Sequence, residues 1–175
     1  MTEEKMNIGK ELDKVLYYVC DNLSKTGHNP KPVLLHSFKV SYRLLNYDYE
    51  RDIVISAALH DLIEDTDVTY DDLKKLYGKK IADIVDAVSF KSEIEDKYLQ
   101  AEEMFNRCVL SGREALIVKC SDLCDNIDFL SFAKKEDIPK LAKKYKLFLD
   151  ISKKYIKNEK VYKELLKKYN NLINK

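Results

Sequence analysis

Helix-breaking residues are so scarce in this chain that their positions outline what it can fold into. Glycine occurs only at Gly9, Gly27, Gly78 and Gly112, and proline only at Pro30, Pro32 and Pro139. A sheet protein of this length would need turn formers at many more reversals. The stretches between are rich in Leu, Lys, Glu and Ala, residues that cost little to hold in a helix, and no long β-branched alternation competes with them. An all-α chain is expected, with helices near residues 6–24, 33–46, 51–64, 69–76, 78–89, 93–110, 112–132, 137–157 and 159–173. The segment KTGHNPKP separates the first pair, and Gly78 and Gly112 mark other sharp changes of direction. Thr69 with Asp72 reads as a helix start, in which hydroxyl and acid satisfy unpaired backbone donors.

Length favours one domain over residues 1–175, with enough apolar content to bury a sizeable core. No internal repeat, low-complexity tract or linker divides it. The opening residues MTEEKMNIGKELDKVL lack the basic-then-apolar order of a secretory signal. No apolar run approaches the roughly 20 residues that span a bilayer. Cys20, Cys108, Cys120 and Cys124 lack zinc-site pairing, and a helical domain of this size does not need disulfides. A cytoplasmic, reduced protein with no membrane partner is expected.

Charge is uneven. The net value is +1, but residues 137–175 carry 12 Lys against 4 acids, a balance of +8, which leaves −7 for residues 1–136. In this Lys-rich helical segment Leu141, Tyr145, Phe148, Leu149, Ile151 and Ile156 recur near helical spacing. Its lysines read first as a solvated face whose stems cover apolar surface, and second as an attraction for an anionic ligand. No separate motif supports nucleic acid.

The stretch AALHDLIEDTDVTYDDL, Ala57 to Leu73, ends an apolar run in a histidine followed by many carboxylates. Stripping water from clustered like charges is costly, so a positive charge is needed nearby. On a helix over residues 52–65, His60, Asp61, Glu64 and Asp65 fall within about 140° of arc and can look into one cleft. Elsewhere His36 interrupts the apolar face of KPVLLHSFKVSYRLL, and Asp122 follows the apolar run of ALIVKCSDLCDNIDFL. Together His36, His60, Asp61 and Asp122 offer two imidazoles and two carboxylates, a set suited to Mn²⁺, Fe²⁺, Mg²⁺ or Zn²⁺.

The order His36, His60-Asp61, Asp122 resembles the HD-domain metal-dependent phosphohydrolase superfamily. The longer string AALHDLIEDTDVTYDDLKKLYGKKIADIVDAVS is similar to the hydrolase domain of RelA/SpoT alarmone enzymes and their small stand-alone relatives. That family has an HDxxEDT helix, a VT helix start, a Gly-containing turn, a V..V(T/S) segment and a later K.(A/S)D...N. The similarity runs from about Lys25 to Leu130 and implies a single helical bundle, the HD domain. It assigns a divalent ion, Mn²⁺ first and Co²⁺ among the alternatives, to His36, His60, Asp61 and Asp122. It assigns catalysis to Glu64 and Asp65, and contact with substrate or metal-held water to Asn126. Lys25 lies where the family uses basic residues near its nucleotide. The chemistry of the residues agrees, since a divalent ion acidifies water and a carboxylate can take the proton.

The sequence departs from the family pattern at several points. His36-Ser37 stands where alarmone hydrolases have HP, and SDLCDN where they have ADRLHN, so Leu123 replaces an arginine and Asp125 a histidine. Ser89-Phe90-Lys91 stands in place of the segment with a threonine-lysine pair. Lys97, Arg107 and Lys119 could face phosphate, but each reads first as a solvated surface charge. Tyr145 reads as core and His28 as a turn residue. The resemblance implies removal of the 3′-pyrophosphate from guanosine tetra- or pentaphosphate, with degradation only, since synthetase and regulatory domains have no room. The alternatives are an HD nucleotidase acting on another nucleotide, such as a 5′-monophosphate, and a nucleotide-binding regulator without turnover.

Overall fold

The computed structural model describes residues 2–29, 32–90, 94–130 and 138–174. Those residues form ten helical segments and no strand: α1 (Glu3–Thr26), α2 (Val33–Asn46), α3 (Arg51–Leu59), α4 (Leu62–Asp65), α5 (Tyr70–Tyr77), α6 (Lys79–Val88), α7 (Lys97–Ser111), α8 (Arg113–Phe129), α9 (Ile138–Ile156) and α10 (Lys160–Ile173). The all-α expectation holds, and most ends fall within a few residues of those expected. The expected helix ends at residues 93, 131–132 and 137, and Lys91 of the family pattern, lie outside the described residues.

Two helices form the centre. α3 is buried without interruption from Ile53 through Leu59, and α8 from Ala115 through Asp125. α3 is apolar on all sides from Ile53 through Leu59, and such a helix must be surrounded, whereas α8 is enclosed with Lys119, Ser121, Asp122 and Asp125 among its apolar residues. Accordingly α3 packs on α1, α2, α6 and α8, while α8 also meets α2, α6, α7, α9 and α10. Because α8 is enclosed, Lys119, Asp122 and Asp125 on it are enclosed too, and each needs a partner of opposite character. The outer helices present one face inward. Phe105 of α7 and Phe148 of α9, both fully buried, meet edge to face with ring centroids 5.0 Å apart.

The Lys-rich C-terminal segment is fixed by its few acids. Glu164 of α10 accepts from Arg43 Nε at 3.2 Å and from the Tyr47 hydroxyl at 3.0 Å, while Glu159 accepts from Tyr49 and Arg113 at 3.0 and 2.8 Å. Lys143, Lys146, Lys153, Lys154 and Lys157 are exposed, the solvated face expected, with Ala142, Tyr145, Phe148, Leu149 and Ile156 on the inner side. Lys144 and Lys168 are half-buried, the former with its ammonium 5.0 Å from the centre of the Phe90 ring and the latter 2.6 Å from an Asp128 oxygen.

Thr69 and Asp72 form the expected reciprocal cap of α5, the acid accepting from Thr69 N at 3.0 Å. Between α7 and α8 the backbone at Gly112 takes φ 112° and ψ −168°, a region open to glycine and strained for any side chain. Gly112→Ala should therefore lower the stability by about 1–3 kcal/mol. Gly9 lies within α1 with open space where a Cβ would stand, and Gly9→Ala should raise stability by about 0.5–1 kcal/mol. Denaturant midpoints of the two variants check both signs.

The expected helix over 51–64 is interrupted at His60-Asp61, and the interruption builds the site. His60 Nδ1 donates to the Ala57 carbonyl at 2.8 Å, the group that a continuing helix would use for the Asp61 amide, and a side chain inserted into that ladder kinks a helix. Asp61 takes φ −94° and ψ −6°. The chain resumes as the single turn α4, which Thr66 closes by donating its hydroxyl to the Leu62 carbonyl at 2.6 Å. His60, Asp61, Glu64 and Asp65 therefore do not share one straight face.

Candidate metal centre

Four side chains from α2, the α3–α4 break and α8 converge. His36 Nε2 lies 3.2 Å from His60 Nε2, 3.2 Å from Asp122 Oδ1 and 3.6 Å from Asp61 Oδ2. His60 Nε2 lies 3.1 Å from Asp61 Oδ1 and 3.8 Å from Asp122 Oδ1. His36, His60 and Asp122 are buried, and each turns one donor atom to a common point.

The tautomers follow from what holds the far side of each ring. A backbone carbonyl only accepts, so the hydrogen bond to Ala57 commits the Nδ1 proton of His60. His36 Nδ1 stands 2.7 Å from Asp125 Oδ2. The His36 contact holds the Asp125 carboxyl below its usual pKa against the opposing effect of burial, so this carboxylate too is an acceptor. With their outer nitrogens so engaged, the two rings turn their Nε2 atoms, only 3.2 Å apart, to each other and to two carboxylates, and lone pairs on both would face one another there. Such an arrangement repels itself unless a cation or a proton sits among the donors. An ion about 2 Å from each nitrogen and oxygen places neighbouring donors roughly 3 Å apart, so the donor set fits a divalent cation.

Without an ion a proton takes its place. Burial works to lower the pKa of His36, but its contacts with Asp122 and Asp125 prevail and push it up to about 10. A histidine raised in the folded state from an ordinary value near 6.5 contributes stability that is fully present below about pH 6.5. That contribution is lost as pH rises through about 10. A cation displaces the same proton and so binds more tightly as pH rises. Thermal melts of metal-free and metal-loaded protein should separate progressively between about pH 6.5 and 10, and the pH dependence of the gap should vanish in His36→Ala.

Around the four donors lies a set of fixed charges. Lys119, expected at the surface, is instead 4% exposed, with its ammonium 2.7 Å from Asp122 Oδ2 and 5.1 Å from the Phe90 ring centre. Burial opposes its charge, while Asp122 and Glu64 hold it protonated. Asp122 is deep in the protein, yet Lys119 and His36 keep its carboxyl well below the ordinary range despite burial. The Asn126 amide donates to Asp122 Oδ1. Glu64 accepts from the Phe90 amide at 2.6 Å. Burial pushes its pKa to about 7, with Lys119 pulling it down and Asp61 pushing it up. Asp65 receives the Asn29 amide through both oxygens at 3.0 Å, and its pKa is raised by burial and by Asp61.

The structure thus brings His36, His60, Asp61 and Asp122 together, sets Glu64 and Asn126 against them, and turns Asp65 toward the loop after α1, where the His28 amide donates to the Asp65 carbonyl at 3.2 Å. It does not bring Lys25 to the cluster, since that residue is exposed and ion-paired with Asp21 at 2.6 Å. Tyr145 is core. Arg107 donates to the Asp86 and Ser89 carbonyls at the end of α6, and with Ile63, Glu64, Phe90, Lys97 and Gln100 it lines a cleft beside Glu64. Lys119, expected as a surface charge, is enclosed beside Asp122, and Asp125, which stands where the family pattern has a histidine, backs His36. The available signal was the apolar run Ala115–Val118 that leads into them.

The family model described as HD domain matches residues 17–148. The chain belongs to the HD-domain family. A guanosine-3′,5′-bis(diphosphate) 3′-pyrophosphohydrolase of Aquifex aeolicus is 33% identical to this HD-domain protein over 122 residues, covering 68% of this chain and 17% of that one. The bifunctional (p)ppGpp synthase/hydrolase SpoT of Escherichia coli is 27% identical over 124 residues, 68% of this chain and 18% of that one. The chain therefore spans less than a fifth of the length of these curated relatives. Among solved structures, a metazoan ortholog of SpoT, described as hydrolysing ppGpp, superposes with a TM-score of 0.74 at 19% identity, covering 98% of this chain and 96% of that one. A protein of Listeria monocytogenes superposes at 0.70 with 17% identity over 86% of this chain and all of the other. These two likenesses concern the HD-domain fold. No helix among the described residues is long and apolar enough to cross a membrane.

Proposed function

We propose that this HD-domain protein is a metal-dependent phosphohydrolase that cleaves guanosine 3′,5′-bis(diphosphate) to GDP and pyrophosphate. The observation that carries the reading is the convergence of His36, His60, Asp61 and Asp122 beside a half-buried carboxyl, Glu64. The names of the relatives supply the substrate. Mn²⁺ is the proposed ion, on the mixed nitrogen and oxygen donors. The described cysteines are unpaired, in keeping with a reducing cytoplasm, and the proposal treats residues 1–175 as one unit.

When bound, a divalent ion polarises a phosphoryl oxygen and makes water more acidic. The remaining work falls to the chain's own groups. Glu64, its orientation set by the Phe90 amide, takes a proton from the attacking water, for which a pKa near neutrality is suited. Asp65, held by Asn29, retains a proton more readily than an ordinary aspartate and delivers it to the departing oxygen. Lys119 and Asn126 hold Asp122 from two sides. Lys97, at the cleft beside Glu64, offers positive charge to phosphate, a part that Lys25, ion-paired with Asp21 away from the cluster, does not take.

A nucleotide panel tests the reading. Purified protein supplemented in turn with Mn²⁺, Mg²⁺, Co²⁺ and Zn²⁺ should release pyrophosphate and GDP from guanosine tetraphosphate, with products separated by ion exchange. Orthophosphate from nucleoside monophosphates without alarmone cleavage would replace the substrate while keeping the reaction class. Binding without turnover of any nucleotide would make the protein a regulator.

A further inference from the structure

Asp125 is a position at which this chain departs from the pattern it resembles, and its surroundings give it a role. The residue is 1% exposed on the enclosed helix α8. One oxygen, Oδ2, receives His36 Nδ1 at 2.7 Å, a contact that spans 89 residues of sequence. The other, Oδ1, faces the Lys39 ammonium at 3.9 Å, and Lys39 lies one turn of α2 beyond His36. His36 and Lys39 on one helix thus hold the two oxygens of a carboxylate on another. His60 is secured differently, by the neutral Ala57 carbonyl. The two imidazoles facing the same point therefore have different backing, one an ionised group and the other a backbone dipole.

A carboxylate behind an imidazole fixes its tautomer and ring orientation and increases the basicity of the opposite nitrogen, effects that amount to about 10–100-fold in metal affinity. We propose that Asp125 is a positioning residue for the metal centre, one that locks His36 with its proton on Nδ1 and makes Nε2 the stronger of the two nitrogen donors. The inference rests on the reading of His36, His60, Asp61 and Asp122 as a divalent-cation site.

Metal titration by competition with a chromophoric chelator, on wild type, Asp125→Asn and His36→Ala, tests it without reference to turnover. Asp125→Asn keeps the volume and one acceptor oxygen while removing the charge. Its affinity for Mn²⁺ should fall about 10–100-fold with one ion still bound, whereas His36→Ala should lose more. An unchanged affinity in Asp125→Asn would overturn the role of Asp125 and leave the metal centre standing. A wild type that binds no divalent cation would overturn the centre itself, and the positioning role with it. A second measurement uses only the native chain, so it does not depend on how the variant folds. In the Zn²⁺-loaded protein, long-range proton–nitrogen correlation spectra should place the His36 proton on Nδ1 in a strongly deshielded, short hydrogen bond. A proton on Nε2, or an Nδ1 signal no more deshielded than that of His60, would overturn the proposal.

Discussion

His60→Ala will lose its divalent ion and its hydrolytic activity together. His60 gives the site a nitrogen 3.2 Å from that of His36 and 3.1 Å from an Asp61 oxygen, so its removal leaves two carboxylates and one imidazole without the donor that joins them. The substitution also returns the Ala57 carbonyl to the helix ladder, which lets α3 run on through residues 60–61 and carries Asp61 away from the cluster. Affinity should therefore fall by more than the loss of one ligand would give, and elemental analysis should find the variant empty after dialysis against trace metal. Folding should survive, because the apolar cluster that includes Phe105, Phe148, Leu59 and Leu116 is left unchanged by the substitution. Full metal occupancy in a folded His60→Ala protein would show that the ion, if any, is held elsewhere.

Glu64→Gln combined with Asp65→Asn should lower turnover by about 10²-fold or more while metal content stays at the wild-type level. The amide oxygens can still accept from the Phe90 amide and from Asn29, so the local shape persists and only acid–base capacity is lost. Neither carboxylate is among the converging donors, which is why metal retention separates this variant from His60→Ala. Guanosine tetraphosphate should bind at least as tightly, since the negative charge that Glu64 carries in its base form is gone from beside the phosphates. The sign of the pH effect follows from Glu64. Burial raises its pKa to about 7 in the metal-free protein, so the group loses its ability to accept a proton as pH falls through its pKa. A neighbouring cation shifts that point downward. The acid limb of the rate profile should disappear in the single Glu64→Gln variant. Near-normal turnover in the double variant at saturating substrate would assign these acids to a solvated helix end.

What the sequence revealed and what it concealed divide along physical lines. The helical class was legible because only seven breakers, four glycines and three prolines, interrupt the chain, and the start of α5 because Thr69 with Asp72 is a local device complete in four residues. The residues that converge were legible as chemistry that needed a counter-charge. The break at His60 was not, because it depends on the ring taking the Ala57 carbonyl, a choice made only once the ring is held in the site. Lys119 was read as surface because lysine usually is. The polar residues of EALIVKCSDLCDN share one side of the helix, as on a surface helix, and only the packing of α2, α6, α7, α9 and α10 around α8 encloses that side. Asp125 lies three residues after Asp122 on the same helix, close enough to act at the same centre, but its partner His36 is 89 residues away in sequence, and only the packing of α2 on α8 joins them.

Anomalous scattering from a Mn²⁺-loaded crystal locates the ion directly. One peak is predicted, about 2.0–2.2 Å from His36 Nε2, His60 Nε2, an Asp61 oxygen and an Asp122 oxygen, with both Nδ1 protons still directed to Asp125 and Ala57. A Mn²⁺ peak away from these four residues, or no peak in protein that hydrolyses its substrate at full rate, would contradict that placement.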